Sequence, residues 1–137
     1  MKFNTIAVLA ALSIASPALA AGDIEKGEKT FKKCKSCHMI EDAAGETIVK
    51  GGKTGPNLYG IVGRAAAAQE GFKYGKSLAA AGEGGLVWDE EQLTAYLQDP
   101  TKYLKTYLDD SKAKSKMSLK LKKGMEDVIA YLGSVAE

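Results

Sequence analysis

One five-residue segment, Cys34-Lys35-Ser36-Cys37-His38, contains both cysteines and the one histidine of this 137-residue chain. The spacing C-x-x-C-H is typical of the covalent attachment of a c-type haem. Two thiols at this separation can each add to a vinyl group of one porphyrin, and the histidine that follows lies where an imidazole nitrogen can bind the iron. The motif therefore predicts one haem c per chain, attached through Cys34 and Cys37.

The single histidine also limits the second axial ligand of the iron. Two histidines cannot bind one haem within this chain, so the position opposite His38 holds a methionine, a weaker ligand or none. A thioether there closes the iron and raises its reduction potential, which suits electron transfer. An open position suits a haem sensor or enzyme instead.

Three methionines are candidates once Met1 is set aside as part of a leader segment. Met39 follows His38 directly and cannot cross to the opposite face of the ring. Met125 falls in the apolar stripe of a predicted helix, which favours a role in the core. Met117 lies in a polar, non-periodic stretch where a lone thioether has little core to fill, so we predict it as the sixth ligand.

The first twenty residues have the composition of a secretory signal peptide. Lys2 supplies a positive charge, residues 6–14 form a short apolar run, and residues 16–20 contain an A-x-A cleavage site. A membrane anchor is the alternative, but the run is shorter than the roughly 20 apolar residues that a spanning helix needs. We therefore expect residues 1–20 to be cleaved and residues 21–137 to form one soluble periplasmic domain without stable membrane insertion.

The mature chain is almost neutral, with 18 basic residues (19 less Lys2) against 17 acidic ones. This balance, together with the export signal, argues against nucleic acid as a partner. The basic residues are unevenly placed, because eight lysines fall between Lys102 and Lys123 and three more crowd the C-x-x-C-H motif. Two basic segments near one cofactor predict a surface that docks an acidic partner.

Periodicity and capping signals predict an all-α domain of about four to five short helices, separated by glycine-rich loops and with no credible strand. The predicted helices run from Asp23 to Lys33, from Tyr74 to Ala81 with a stop at Gly82, from Asp89 to a stop at Pro100, for a turn or two over residues 103–108, and onward from Gly124.

The chain has few large apolar side chains for a globular core. It contains one tryptophan and three phenylalanines, of which Phe3 lies in the leader. A haem placed centrally would supply the missing apolar volume, with helices and loops wrapped round it. We therefore expect the chain without haem to be largely unfolded.

An ordered set of motifs spans nearly the whole mature chain. It comprises Gly22-Asp23, Gly27, Phe31, Cys34–His38, Lys53–Gly60, Gly63-Arg64, Phe72–Tyr74, Trp88, Tyr96-Leu97, Asp99-Pro100 and Glu126–Leu132. This set resembles the class I cytochromes c, and within them the long-loop cytochrome c2 proteins of purple phototrophic bacteria. Two stretches of extra chain, at residues 42–52 and 107–112, are shared with the long-loop proteins.

The resemblance implies how the haem is held. It implies thioether bonds at Cys34 and Cys37, with His38 and Met117 as axial ligands. In such proteins the proline that matches Pro56 offers its carbonyl to the ligand imidazole and fixes the orientation of the ring.

The resemblance also implies four further residues around the haem. The residues that match Arg64, Tyr74 and Trp88 lie near the propionates. The tyrosine that matches Tyr96 forms a hydrogen bond towards the methionine sulfur.

The resemblance implies an electron carrier and not an enzyme, and we expect the protein to be a monomer. Such proteins take single electrons from a quinol-oxidising cytochrome bc-type complex and deliver them to a photosynthetic reaction centre. A terminal oxidase or a denitrification enzyme is equally compatible with the residues as acceptor. We expect the docking surface at seven lysines: Lys32, Lys35, Lys53, Lys102, Lys105, Lys114 and Lys116.

Two other classes use a C-x-x-C motif. A thioredoxin-like oxidoreductase belongs to an α/β fold, which the all-helical pattern and His38 argue against. A zinc site needs a fourth ligand close by, and none is obvious.

Overall fold

The computed structural model of the protein describes residues 22–137, so the predicted signal peptide lies outside the described residues. These residues form five helices and one small sheet. The helices are α1 (Ile24–Phe31), α2 (Lys76–Glu83), α3 (Glu90–Gln98), α4 (Pro100–Tyr107) and α5 (Met125–Ser134). The predicted all-α class is confirmed. Among residues 22–137, every helix is too short or too polar to span a bilayer.

A short hairpin corrects the expectation that the chain has no strand. Strands β1 (Ile40–Glu41) and β2 (Thr47–Val49) pair in antiparallel orientation, but they are too short for an alternating pattern to be read from the sequence. The turn between them is held by Asp42, whose Oδ1 accepts hydrogen bonds from the backbone N–H groups of Ala44 and Glu46, both at 2.9 Å. Gly45 adopts the left-handed conformation of this turn, with φ at +83°.

Helices α1 and α5 cross so closely that their backbones touch. A β-carbon added at Gly27 would stand 2.0 Å from the carbonyl oxygen of Asp127. The backbone N–H of Asp23 donates to Asp127 Oδ1 at 2.8 Å, and the rings of Phe31 and Tyr131 pack with their centroids 5.6 Å apart. The sequence-based prediction that Gly27 marks a close crossing of the terminal helices is confirmed.

Two helix boundaries reflect local backbone packing. Helix α2 starts later than predicted and continues through Gly82. This glycine does not end the helix but allows close packing, since a β-carbon there would stand 2.3 Å from the carbonyl oxygen of Ala66. Pro100 follows the end of α3 as predicted, and it also begins α4, since proline suits the first turn of a helix. Asp99 caps α4 by accepting the backbone N–H of Lys102 at 3.0 Å.

Candidate haem site

The helices and loops enclose a cavity of about 450 Å³, which lies within the range of roughly 300–1,000 Å³ that is usual for cofactor sites. Its wall is largely apolar and includes Ile61, Leu78, Leu93, Ile129 and Leu132. All nine residues that we predict around a haem line this one cavity: Cys34, Cys37, His38, Pro56, Arg64, Tyr74, Trp88, Tyr96 and Met117.

The attachment motif follows directly from α1. The helix ends at Phe31, short of the predicted Lys33, and the chain then turns so that the N–H groups of Cys37 and His38 both donate to the carbonyl oxygen of Cys34, at 3.1 and 2.9 Å. The Cys34 side chain is buried, which raises the pKa of its thiol to about 11. Cys37 is exposed, and neither sulfur forms a disulfide bond.

A hydrogen bond fixes the orientation of the His38 imidazole. Its Nδ1 lies 2.7 Å from the carbonyl oxygen of Pro56. A carbonyl can only accept a hydrogen bond, so Nδ1 carries the proton and Nε2 keeps the lone pair that a metal requires. Burial lowers the pKa of His38, although its bond to Pro56 acts in the opposite direction. This neutral tautomer is the form that binds iron.

Asn57 anchors the loop that carries Pro56. Its Oδ1 accepts the backbone N–H of Glu41 at 3.0 Å, and its Nδ2 donates to the Glu41 carbonyl oxygen at 2.7 Å. The backbone N–H of Asn57 donates to Gln69 Oε1 at 2.8 Å. Sequence reasoning did not single out Asn57 or Gln69 for a role, because these bonds join segments that are more than ten residues apart.

Arg64 presents a positive charge to the cavity wall. Its guanidinium donates to the carbonyl oxygens of Asn57 and Tyr59, at 2.9 and 3.1 Å. Burial lowers the pKa of Arg64, and no carboxylate within residues 22–137 forms an ion pair with it. A half-buried cation is costly unless it is paired, so this wall suits an anionic group such as a haem propionate.

Tyr74 and Trp88 line the same cavity as Arg64. The Tyr74 hydroxyl accepts the backbone N–H of Gln69 at 3.1 Å, and the Trp88 backbone N–H donates to the Arg64 carbonyl oxygen at 2.9 Å. The Trp88 side chain is buried. These backbone contacts position both aromatic rings at the cavity.

Met117 reaches the cavity from the segment between α4 and α5. The backbone N–H of Met117 donates to Ser115 Oγ at 3.0 Å, and this oxygen also lies 3.0 Å from the Tyr96 hydroxyl. Tyr96 therefore pairs with Ser115 here, whereas the resemblance implies a bond towards the methionine sulfur. Neither Met39 nor Met125 belongs to the cavity wall formed by residues 22–137.

All seven lysines that we predict for docking are exposed. Lys114 and Lys116 line the cavity, as does Lys33, which the predicted set omits. Lys116 also crosses to a neighbouring loop, where its Nζ donates to the carbonyl oxygen of Lys73 at 3.1 Å. No acidic residue lines the described cavity, so the charged side chains of its lining are all basic.

Comparison with known proteins decides the family. The chain is 59% identical to cytochrome c-551 of Roseobacter denitrificans over 134 residues, which cover 97% of this chain and 96% of that protein. It is 55% identical to cytochrome c2 of Rhodobacter capsulatus over 138 residues, covering all of both chains. The chain belongs to the cytochrome c2 family of class I cytochromes c. No protein-family model matches it.

Solved structures agree with this membership. The cytochrome c2 structure from Rhodobacter capsulatus superposes with a TM-score of 0.82 at 55% identity, covering 85% of this chain and all of that one. The cytochrome c2 structure from Paracoccus denitrificans superposes with a TM-score of 0.82 at 50% identity, covering 84% of this chain and 97% of that one. The predicted fold is confirmed, and the chain is an electron-carrier cytochrome with haem c, not an enzyme.

The residues of the cavity fit haem c. Two thiols at the attachment spacing, an imidazole with its Nε2 lone pair available, a thioether and a guanidinium that forms no ion pair among residues 22–137 line one largely apolar cavity. When bound, the haem supplies a one-electron iron couple. Cys34 and Cys37 would hold it covalently, and His38 and Met117 are the candidate iron ligands.

Proposed function

We propose that this cytochrome carries single electrons in the periplasm from a quinol-oxidising cytochrome bc-type complex to a photosynthetic reaction centre. Two relatives support this proposal: the cytochromes c2 of Rhodobacter capsulatus and Cereibacter sphaeroides share 55% and 51% identity with the chain. A terminal oxidase or a denitrification enzyme is the alternative acceptor. Export is part of the proposal, with cleavage after Ala20 leaving residues 21–137 as a monomeric mature protein.

A closed, rigid site would favour fast electron exchange. His38 and Met117 would both bind the iron, which would leave no open position for a substrate. The Pro56 carbonyl supports the imidazole of His38, and Ser115 supports the backbone of Met117. Supported ligands move little when the iron changes oxidation state, which lowers the barrier to each transfer.

The proposed docking is supported by the exposed basic residues that line the cavity. Lys33, Lys114 and Lys116 line the cavity and are exposed, while no acidic residue of the described cavity opposes them. Long-range attraction to an acidic partner speeds encounter, and a small interface permits rapid release. A basic surface at the cofactor therefore suits a shuttle that visits two partners in turn.

The experiment that tests docking is the dependence of transfer rate on ionic strength. Rates with an isolated bc-type complex and with reaction centres are expected to fall as salt rises past physiological strength, where charges are screened within ~8 Å. A flat dependence with both partners would rule out the proposed surface. Parallel rates with a terminal oxidase and a denitrification enzyme compare the candidate acceptors.

Charge reversal locates the docking surface. Lys114→Glu is expected to slow transfer more than Lys123→Glu, because both lysines are exposed but only Lys114 lines the cavity. Lys116→Glu tests the charge less specifically, since it also removes the hydrogen bond from Lys116 Nζ to the Lys73 carbonyl oxygen. Equal effects of the Lys114 and Lys123 variants would contradict the assignment.

Export has its own test. The mass of the protein recovered from the periplasm is expected to match a chain that starts at Ala21 and carries one haem. A protein retained in the cytoplasm, or one that keeps residues 1–20, would contradict this part of the proposal.

A further inference from the structure

Four oxidisable aromatic side chains form a continuous row from the haem cavity to the surface. Trp88 and Tyr96 line the cavity, with their ring centroids 4.8 Å apart. Tyr103 lies 6.1 Å from Trp88 and 5.7 Å from Tyr96. Tyr107 stacks on Tyr103 at 5.8 Å with the ring planes 20° apart, and 39% of Tyr107 is exposed. We call these four residues the aromatic ladder.

The helices fix the geometry of the aromatic ladder. Tyr103 and Tyr107 are four residues apart on α4, so they share one face of the helix. Tyr96 belongs to α3, which packs against α4. The Tyr103 hydroxyl donates to Gln92 Oε1, which ties the middle of the ladder to α3. The chain has one tryptophan and six tyrosines, so the ladder takes the tryptophan and half of the tyrosines.

We propose that the aromatic ladder delivers an electron from the reduced haem to Tyr107 when a small radical oxidises this exposed tyrosine. Phenol and indole rings lose an electron far more readily than aliphatic side chains do. Aromatic rings in contact can therefore pass an electron in short steps, because each ring can be oxidised in turn. Leucine side chains in the same places could not be oxidised in this way. The cytochrome thereby consumes one-electron oxidants at its surface, a function that requires bound haem but no particular electron-transfer partner.

Electrons and protons balance in this reaction. A peroxyl radical takes the phenolic hydrogen atom of Tyr107, which yields a hydroperoxide and a neutral phenoxyl. The phenoxyl then gains one electron through the ladder and one proton from water, which restores the phenol. The electron comes from the reduced haem, whose iron changes from Fe(II) to Fe(III). The ordinary electron donor of the cytochrome then reduces the haem again.

Pulse radiolysis of the reduced holoprotein tests the proposal, with azide radicals as the probe. An azide radical takes one electron from a tyrosine, leaving azide, a proton and a phenoxyl with its own absorbance. We expect a phase in which the phenoxyl decays while an equal amount of haem is oxidised. Because transfer is intramolecular, the rate of this phase is expected to be independent of protein concentration.

Three phenylalanine variants identify the route while keeping ring packing. Tyr107→Phe removes the surface end of the ladder and is expected to remove the part of the intramolecular phase that begins at Tyr107, which lowers the amplitude of the phase. Tyr103→Phe breaks the middle of the ladder and is expected to slow it. Tyr131→Phe is the control, since Tyr131 is a buried tyrosine between α1 and α5 and outside the cavity wall. The control is expected to keep the wild-type rate.

Several outcomes would overturn the proposal. The proposal fails if the phase keeps its full amplitude in Tyr107→Phe, keeps its rate in Tyr103→Phe, or varies with protein concentration. Equal phenoxyl lifetimes in reduced and oxidised holoprotein would also overturn it, because the oxidised haem has no electron to give and its phenoxyl should persist. None of these results bears on the salt dependence of docking, so the two proposals fail separately.

Discussion

Gly55 lies directly against the imidazole of His38. A β-carbon at this glycine would stand 2.5 Å from Cε1 and 2.7 Å from Nδ1 of the ring. The next residue, Pro56, accepts the hydrogen bond from Nδ1 at 2.7 Å. Two consecutive residues therefore fix the candidate iron ligand, one by contact with the ring and one by a hydrogen bond.

Gly55→Ala is expected to displace the His38 ring. The added methyl group has no room beside the imidazole, and overpacking of this kind costs about 1–3 kcal/mol. We expect a lower melting temperature and a shifted reduction potential, measured by thermal denaturation and redox titration of the holoprotein. The control is Gly75→Ala, whose β-carbon would meet the flexible Lys116 side chain at 3.2 Å. A wild-type potential in Gly55→Ala would contradict the close fit.

Met117→Ala is expected to abolish the methionine-to-iron absorbance band near the red edge of the ferric spectrum. Loss of the thioether opens the iron, so the reduction potential is also expected to fall. Met125→Ala is the matched control, because Met125 lies at the start of α5 and outside the described cavity wall. A band that persists in Met117→Ala would exclude Met117 as the ligand.

The chain without haem is expected to be largely unfolded. The cavity of about 450 Å³ is lined largely by apolar side chains, which would face water or empty space without the cofactor. Losing the packing against these side chains removes much of the apolar burial on which a domain of this size depends. The Cys34→Ala/Cys37→Ala double variant, prepared without haem, is therefore expected to lack a cooperative melt by circular dichroism. A native-like transition would refute this expectation.

Gly27→Ala is expected to destabilise the protein even though alanine favours helices. The new β-carbon would overlap the Asp127 carbonyl oxygen, and the backbones of α1 and α5 would have to separate, at a cost of about 1–3 kcal/mol or more. Gly133→Ala in α5 meets nothing within 4 Å and is expected to be neutral or to gain up to about 1 kcal/mol. Urea denaturation compares the two free energies of unfolding.

Asp99 is expected to contribute stability that disappears in acid. Its hydrogen bond with Lys120, 2.7 Å long, and its cap on the Lys102 N–H lower the pKa of this carboxyl below its usual 3.8. A lowered pKa in the folded state means that the contribution is present above about 3.8 and is lost as pH falls through the folded-state pKa. Asp99→Ala should thus lower the urea midpoint at pH 7 more than at pH 3. An equal loss at both pH values would disprove the linkage.

The residues that line the cavity could be predicted largely from the sequence, because few residues in the chain can bind a haem. One histidine and three remaining methionines leave a small number of ligand sets. Most of the helices could also be predicted from the sequence, since their caps and the spacing of their apolar residues are local signals. Two helices were exceptions. Gly82 lies within α2 and contacts the distant Ala66 backbone instead of ending the helix, and α4 begins at Pro100, before the predicted residue 103.

Hydrogen bonds between distant segments could not be predicted in the same way. Asn57 joins Glu41 and Gln69, and nothing in the local sequence around Asn57 specifies either partner. The Tyr96 hydroxyl likewise has Ser115 within reach, 19 residues along the chain. Such pairings depend on where the fold brings each segment, so they emerge only with the three-dimensional structure.

The crossing of α1 and α5 has a consequence for how the molecule opens. Helix α5 supplies Val128, Ile129 and Leu132 to the cavity wall, and α1 leads directly into the segment of Cys34. Fraying of either helix would here uncover the cofactor, whereas fraying of a peripheral helix is a low-energy event in many proteins. The amide protons of α1 and α5 should consequently exchange with solvent only when the entire molecule unfolds, which makes this helix pair part of its slowest-exchanging core.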